Sequence, residues 1–174
     1  MIVLYVLGAL IALVLIAALF VSKRMDYEKS VLINASIDKV WQKTNTLAKM
    51  DKWSPWDEKD PNIKKETSGV DGTPGAKQSW KSEVKNVGEG SQTIITVKEP
   101  NLLETKLEFV KPFKSVADAY VKLSDTNGKT TVTWGFKSTM PYPMNLMKFF
   151  MNFEKSMDGD FGYGLNTLKA ICEK

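Results

Sequence analysis

Acid–base or nucleophilic chemistry near neutral pH needs a base, a nucleophile or a metal ligand, and this sequence is poor in all three. Histidine is absent, which removes imidazole general bases, Ser-His and Cys-His pairs and most zinc sites. The one cysteine, Cys172, has only Lys169 and Lys174 nearby to activate it and reads as a small apolar residue of a last helical turn. Carboxylates remain. Asp57, Glu58 and Asp60 follow Trp56, Asp158 and Asp160 sit near the C-terminus, and Glu104 and Glu108 flank Lys106. Paired carboxylates can act as acid and base, but carboxylates interleaved with lysine read first as solvated surface. No calcium loop, phosphate loop or Gly-x-Ser-x-Gly elbow occurs, and Gly162-Tyr163-Gly164 lies inside a helical pattern rather than at a strand-to-helix turn. No catalytic residue, metal site or cofactor is expected.

The apolar residues carry the stronger signal. Trp56, Trp80, Leu107, Phe109, Trp134, Phe136, Phe150, Phe153, Met157 and Phe161 are the candidates to line an apolar ligand cavity. Taken singly, each also fits plain core filling. The 24 basic and 20 acidic residues, net charge +4, are scattered, with no block of five like charges. Lysines interleaved with Asp and Glu do not form the basic stripe of a nucleic-acid groove, and no nucleic-acid partner is expected.

These residues fall on elements that the periodicity predicts. Lys29 to Ile33 is a short strand; Ile37, Val40, Trp41, Thr44, Leu47 and Ala48 repeat at helical spacing behind Ser36 as N-cap. Met50 to Ser54 reads as a short second helix broken before Pro55. Lys64 to Ser68 can be a strand, and the glycines and proline of Gly69 to Gly75 form a tight turn. Strands then follow at Ala76 to Ser82, Gly88 to Lys98, Leu102 to Val110, Ser115 to Leu123 and Thr130 to Lys137. In the third of these, Leu103, Thr105, Leu107 and Phe109 oppose Glu104, Lys106 and Glu108, so one face is wet. Asn127-Gly128 is a hairpin signal. Met140-Pro141-Tyr142-Pro143 stops the sheet, and a long helix runs to the C-terminus with Phe150, Phe153, Met157, Phe161, Leu165, Leu168 and Cys172 as its apolar stripe. Gly159, Gly162 and Gly164 interrupt it, at about 1 kcal/mol each relative to Ala. The fold class is α+β: an antiparallel sheet with a long helix across its apolar face.

Ahead of this domain, Ile2 to Val21 is free of charge and proline and would extend about 30 Å as a helix, the thickness of a bilayer core. It lacks a basic n-region and an Ala-x-Ala site, so an uncleaved single-pass anchor is expected over residues 1–22, with 23–26 as a short linker and 27–174 as the domain. Lys23, Arg24 and Lys29 follow the span, and the positive-inside rule then puts the domain in the cytoplasm.

The element order resembles the START-like, or Bet v 1-like, helix-grip fold, and more specifically the SRPBCC superfamily that includes polyketide cyclase/dehydrase proteins. Val31-Leu32-Ile33-Asn34-Ala35 with Val40-Trp41, then Trp53-Ser54-Pro55-Trp56, the Gly69 to Ala76 turn, Thr131-Val132-Thr133-Trp134, Met140 to Pro143, and Asp160-Phe161 with Gly164-Leu165 and Leu168-Lys169 carry the likeness, over about residues 27–174. The resemblance implies a sheet curled around the long helix, enclosing a cavity for an apolar small molecule or lipid. It supplies no universal catalytic set. Three functions stay open: a membrane-tethered module binding an apolar ligand, a cyclase/dehydrase-like enzyme, which the missing histidine weighs against, and an interaction or regulatory protein with a filled core.

Overall fold

The computed structural model describes residues 1–149 and 152–174. The chain opens with α1 (Ile2–Leu19), an apolar helix that is solvent-exposed except at Ala18, with a mean hydropathy of 3.0 over 18 residues. It is long and apolar enough to cross a membrane.

After four residues the chain enters β1 (Arg24–Ile33). The strand begins five residues before the expected Lys29, inside the stretch read as linker. Its alternation is masked in the sequence because the half-buried side includes Tyr27 and Lys29 between Met25 and Val31. Both polar tips reach out to Asp158 on the last helix while their stems pack inward.

Three short helices follow. In α2 (Ile37–Thr44) the Ser36 hydroxyl accepts from the Lys39 N–H at 3.4 Å, and Val40, Trp41 and Thr44 are buried. In α3 (Leu47–Asp51) the Asp71 carboxylate accepts from the N–H groups of Leu47 and Ala48, at 2.8 and 3.0 Å, which fastens the glycine-rich turn to the helix start. Then α4 (Pro55–Lys59) begins at the proline expected to end a helix. Proline lacks only an N–H that the first turn leaves unpaired anyway, so it starts this helix with Ser54 as cap.

The strands β2 (Lys64–Ser68), β3 (Lys77–Lys81), β4 (Glu89–Lys98), β5 (Leu102–Lys111), β6 (Ser115–Thr126) and β7 (Lys129–Thr139) form a meander, and β1 closes on β7 to give the antiparallel order β1-β7-β6-β5-β4-β3-β2. The β6–β7 turn holds Asn127 at φ 56° and Gly128 at φ 78°, the positive pair that the Asn-Gly signal predicts.

A 3₁₀ helix (Met144–Phe149) and α5 (Phe153–Cys172) complete the chain, so the long helix starts later than Pro143 suggests. Phe161, Leu165, Leu168 and Cys172 of α5 meet Ile33, Leu103, Val121, Val132 and Trp134 of the sheet in one core. Gly164 is explained by close approach: a Cβ there would lie 2.7 Å from the Trp134 ring and 3.1 Å from the Trp53 carbonyl oxygen. Nothing in the structure explains Gly159.

Candidate ligand cavity

The core is not filled throughout. Between the concave sheet face, α5 and the short helices lies a cavity of about 280 Å³, near the lower end of the roughly 300–1,000 Å³ of small-molecule sites. Strand alternation builds the sheet wall. Gln78 and Trp80 come from β3, Gln92 from β4, Leu107 and Phe109 from β5, Ala119 from β6, and Trp134 and Phe136 from β7. On the opposite wall Met157, Asp160 and Phe161 sit at three- and four-residue steps on α5. Met50, Asp51, Trp53, Ser54 and Trp56 close one side, and Ile63, Lys65, Asn86 and Val87 line the edge.

Eight of the ten sequence candidates are brought together here: Trp56, Trp80, Leu107, Phe109, Trp134, Phe136, Met157 and Phe161. Phe153 does not line the cavity; it lies against Phe136, ring centroids 6.1 Å apart, at the start of α5. Phe150 lies outside the described residues.

The aromatic part presents hydrocarbon. Trp53 and Trp80 donate their indole N–H to the carbonyls of Lys43 and Val87, each at 3.2 Å, which leaves ring surface toward the space. Trp134 holds the centre, edge-on to Trp53 at 4.9 Å and to Trp56 at 5.6 Å, and stacked on Phe161.

The polar part was not legible as a unit in the sequence. The Gln78 amide donates to Asp51 Oδ2 at 2.9 Å, and Lys65 Nζ donates to Asp51 at 2.7 Å and to Asp57 at 2.6 Å. Beside them the Gln92 amide donates to Thr105 Oγ1 at 2.9 Å. Each glutamine spends its NH₂ on the protein, and neither amide oxygen accepts a hydrogen bond from the described residues. This makes two acceptors available at a cavity wall. The one sequence signal for Gln78 is its place between Ala76 and Trp80 on the inward face.

The carboxylates separate by role. Asp160 faces the cavity but is ion-paired with Lys59. Asp158 points away, where Lys29 and the Tyr27 hydroxyl hold its carboxyl below the usual range. Asp60 is buried and accepts from Ser82 and from the Asn62 N–H. Glu108 reaches Lys77 and Ser91 on the other sheet face. Burial pushes the Cys172 thiol up, as suits a packing residue. The two carboxylates that reach the cavity, Asp51 and Asp160, therefore each carry a lysine partner.

A seven-stranded antiparallel sheet gripping a long C-terminal helix over such a space is the helix-grip, Bet v 1-like fold, and together with the family match over residues 24–173 it places the chain in the SRPBCC superfamily. The chain belongs to the family described as "Polyketide cyclase / dehydrase and lipid transport", whose model matches residues 24–173. Among solved structures, Ara h 8.0201 shares 13% identity over 86% of this chain and 97% of its own, with a TM-score of 0.57. A protein from Arthrobacter aurescens shares 18% over 84% of this chain and 85% of its own, TM-score 0.58. The di-domain ARO/CYC StfQ from the steffimycin biosynthetic pathway shares 9% over 86% of this chain, TM-score 0.63, and the match spans 51% of StfQ. At these identities the likeness is one of fold. No curated protein sequence matches the chain.

Proposed function

We propose that this protein is a membrane-tethered binding module that holds one small, mostly apolar molecule or lipid between the sheet and α5. The observation that carries the reading is the cavity of about 280 Å³ with apolar and aromatic side chains over most of its wall and amide acceptors at one side. The space supports binding over a filled core. The ligand that fits has a flat or short apolar body and a hydroxyl or other donor that meets Gln78 or Gln92. The family's description includes lipid transport, which accords with this reading. The apolar α1, with Lys23 and Arg24 directly behind it, supports a single-pass anchor with the domain on the cytoplasmic side.

Purification of the full chain in mild detergent followed by native mass spectrometry tests it. The expected result is a bound small molecule, or displacement of anilinonaphthalene sulfonate by candidate lipids, and loss of both in Ala119→Phe, which fills the cavity. No bound mass and no dye displacement would overturn the reading.

A second reading, a cyclase/dehydrase-like enzyme, is favoured by Asp51, Lys65 and Asp160 reaching the wall. It requires turnover that Asp160→Asn abolishes without loss of binding. The family description, which names polyketide cyclases, makes polyketides the substrates to try first.

A further inference from the structure

The end of the sheet where α1 joins the domain differs from the opposite end. There is no loose tether. Asn145 of the 3₁₀ helix is fully buried, and its Nδ2 donates to the carbonyls of Ala18 at 2.7 Å and Val21 at 2.8 Å. Lys148 Nζ donates to the Ser22 carbonyl at 2.8 Å, and the Met140 N–H to that of Lys23 at 2.8 Å. The 3₁₀ helix is thus clamped onto the C-terminal end of α1.

Strand register brings the β5–β6 turn to the same end. Arg24 pairs with Thr139, the Ser138 hydroxyl donates to the Val116 carbonyl at 2.9 Å, and Ser115 pairs with Phe109. With strands about 4.8 Å apart, the turn at Pro112 to Lys114 lies roughly 15 Å from the start of β1. Beyond Phe20 at the end of α1, two strongly exposed aromatic side chains of the domain stand out at this end, Phe113 and Phe149, each 69% exposed, with the exposed Met144 and Met147 in the same 3₁₀ helix as the second. Lys23, Arg24 and Lys114 surround them without an ion-pair partner among the described residues, while Lys111 pairs with Glu89. The acids near this end are Asp26 on β1 and Asp118 on β6, which flank Lys137 of β7, and Glu108 on β5, which Lys77 engages. At the other end, the β6–β7 turn Asp125 to Lys129 carries no exposed large apolar residue.

Exposed aromatics ringed by cations fit the boundary between acyl chains and anionic headgroups. Anything else covering this end would compete for the space with the bilayer that α1 enters. We propose that this end of the domain is a second membrane contact, with Phe113 and Phe149 inserted at the headgroup level of an anionic phospholipid surface and the lysines against its phosphates. This rests on the reading that α1 spans a membrane.

The test uses the full chain in vesicles of phosphatidylcholine with or without phosphatidylglycerol. Phe113→Cys is labelled with the fluorophore NBD, and Asn127→Cys serves as the distal control; the native Cys172 is buried. The expected result is a blue-shifted emission at 113, quenched by lipids carrying a nitroxide near the headgroup and weakened by Lys114→Glu, with no quenching at 127. Equal, water-like emission at both positions in a chain that resists carbonate extraction would overturn the contact and leave the anchor standing. Extraction by carbonate would remove both readings. A shift at 113 that follows the protein-to-lipid ratio but ignores the lipid label would assign the face to a second copy and likewise overturn the proposal.

Discussion

The indole of Trp134 lies nearly flat on the ring of Phe161, with centroids 4.1 Å and planes 19° apart. This stack joins the middle of the last strand to the middle of the last helix. Gly164, one turn beyond Phe161, lets the helix backbone come down onto the indole edge. The stack therefore fixes how closely α5 approaches the sheet, and with it the size of the space left beside it.

Gly164→Ala should accordingly destabilise the protein although alanine is the better helix former. The gain in propensity is about 1 kcal/mol; the Cβ meets a ring carbon at 2.7 Å and a carbonyl oxygen at 3.1 Å, and overpacking typically costs about 1–3 kcal/mol. Gly159→Ala, with nothing within 4 Å of the added carbon, should stabilise by about 0.5–1 kcal/mol. Urea titrations of both variants in detergent decide it, and equal midpoints would refute the close-approach account.

Periodicity made the sheet and the apolar wall legible, because alternation in β5, β6 and β7 assigns each aromatic to a face before any contact is known. It failed where a polar residue occupies an inward position. Lys29 and Tyr27 hid the first half of β1, since their partner Asp158 is about 130 residues away in the chain. The polar corner was hidden for the same reason: Gln78 and Asp51 are 27 residues apart, Gln92 and Thr105 13 apart. A helical stripe names a face but not a depth. Phe153 and Phe161 share the α5 face, yet Phe161 borders the cavity and Phe153 packs outside it.

Removing one amide should change ligand choice more than affinity for hydrocarbon. Gln92→Leu keeps the bulk and loses the acceptor, so a ligand with a hydroxyl should bind about tenfold more weakly, the equivalent of one hydrogen bond of about 1–1.5 kcal/mol. A deoxy or purely hydrocarbon analogue should bind unchanged or more tightly. Competition against a fluorescent fatty probe reads the difference. Equal losses for both ligands would show that Gln92 is structural.

Two tyrosines set an alkaline limit. Tyr27 is pushed up to about 12 by burial and by its hydrogen bond to Asp158, and Tyr120 up to about 12 by burial and its bond to Glu28. The fold favours the protonated phenols. Their contribution is full below the ordinary value of 10.0 and is lost as pH rises from there toward about 12. Asp158 acts in the opposite sense: its lowered value favours the charged form, so its contribution is present above 3.8 and falls away as pH drops below that. Unfolding midpoints measured between pH 9 and 12 should decline in the native chain and decline less in Tyr27→Phe and Tyr120→Phe. An unchanged slope in both variants would remove the tyrosines as the cause.

The clamp at the end of α1 should be separable from the cavity. Asn145 Nδ2 serves the carbonyls of Ala18 and Val21 at the end of α1, while its buried Oδ1 has no partner among the described residues, so the contact to α1 is made through its donors. Asn145→Leu keeps the approximate volume and removes both donors; the Ala18 carbonyl keeps its bond from the Val21 N–H at 3.3 Å, while the half-buried Val21 carbonyl loses its donor, at a cost of about 1 kcal/mol. The strain should be released locally by detaching the 3₁₀ helix from α1. Hydrogen exchange at Met140 and at residues 21–23 should then quicken while the α5 amides around Leu165 keep their protection and ligand affinity stays the same. Exchange that quickens evenly through the sheet would mean that Asn145 supports the whole fold. Exchange that does not change at 21–23 would mean that the helix and the domain are not joined through this side chain.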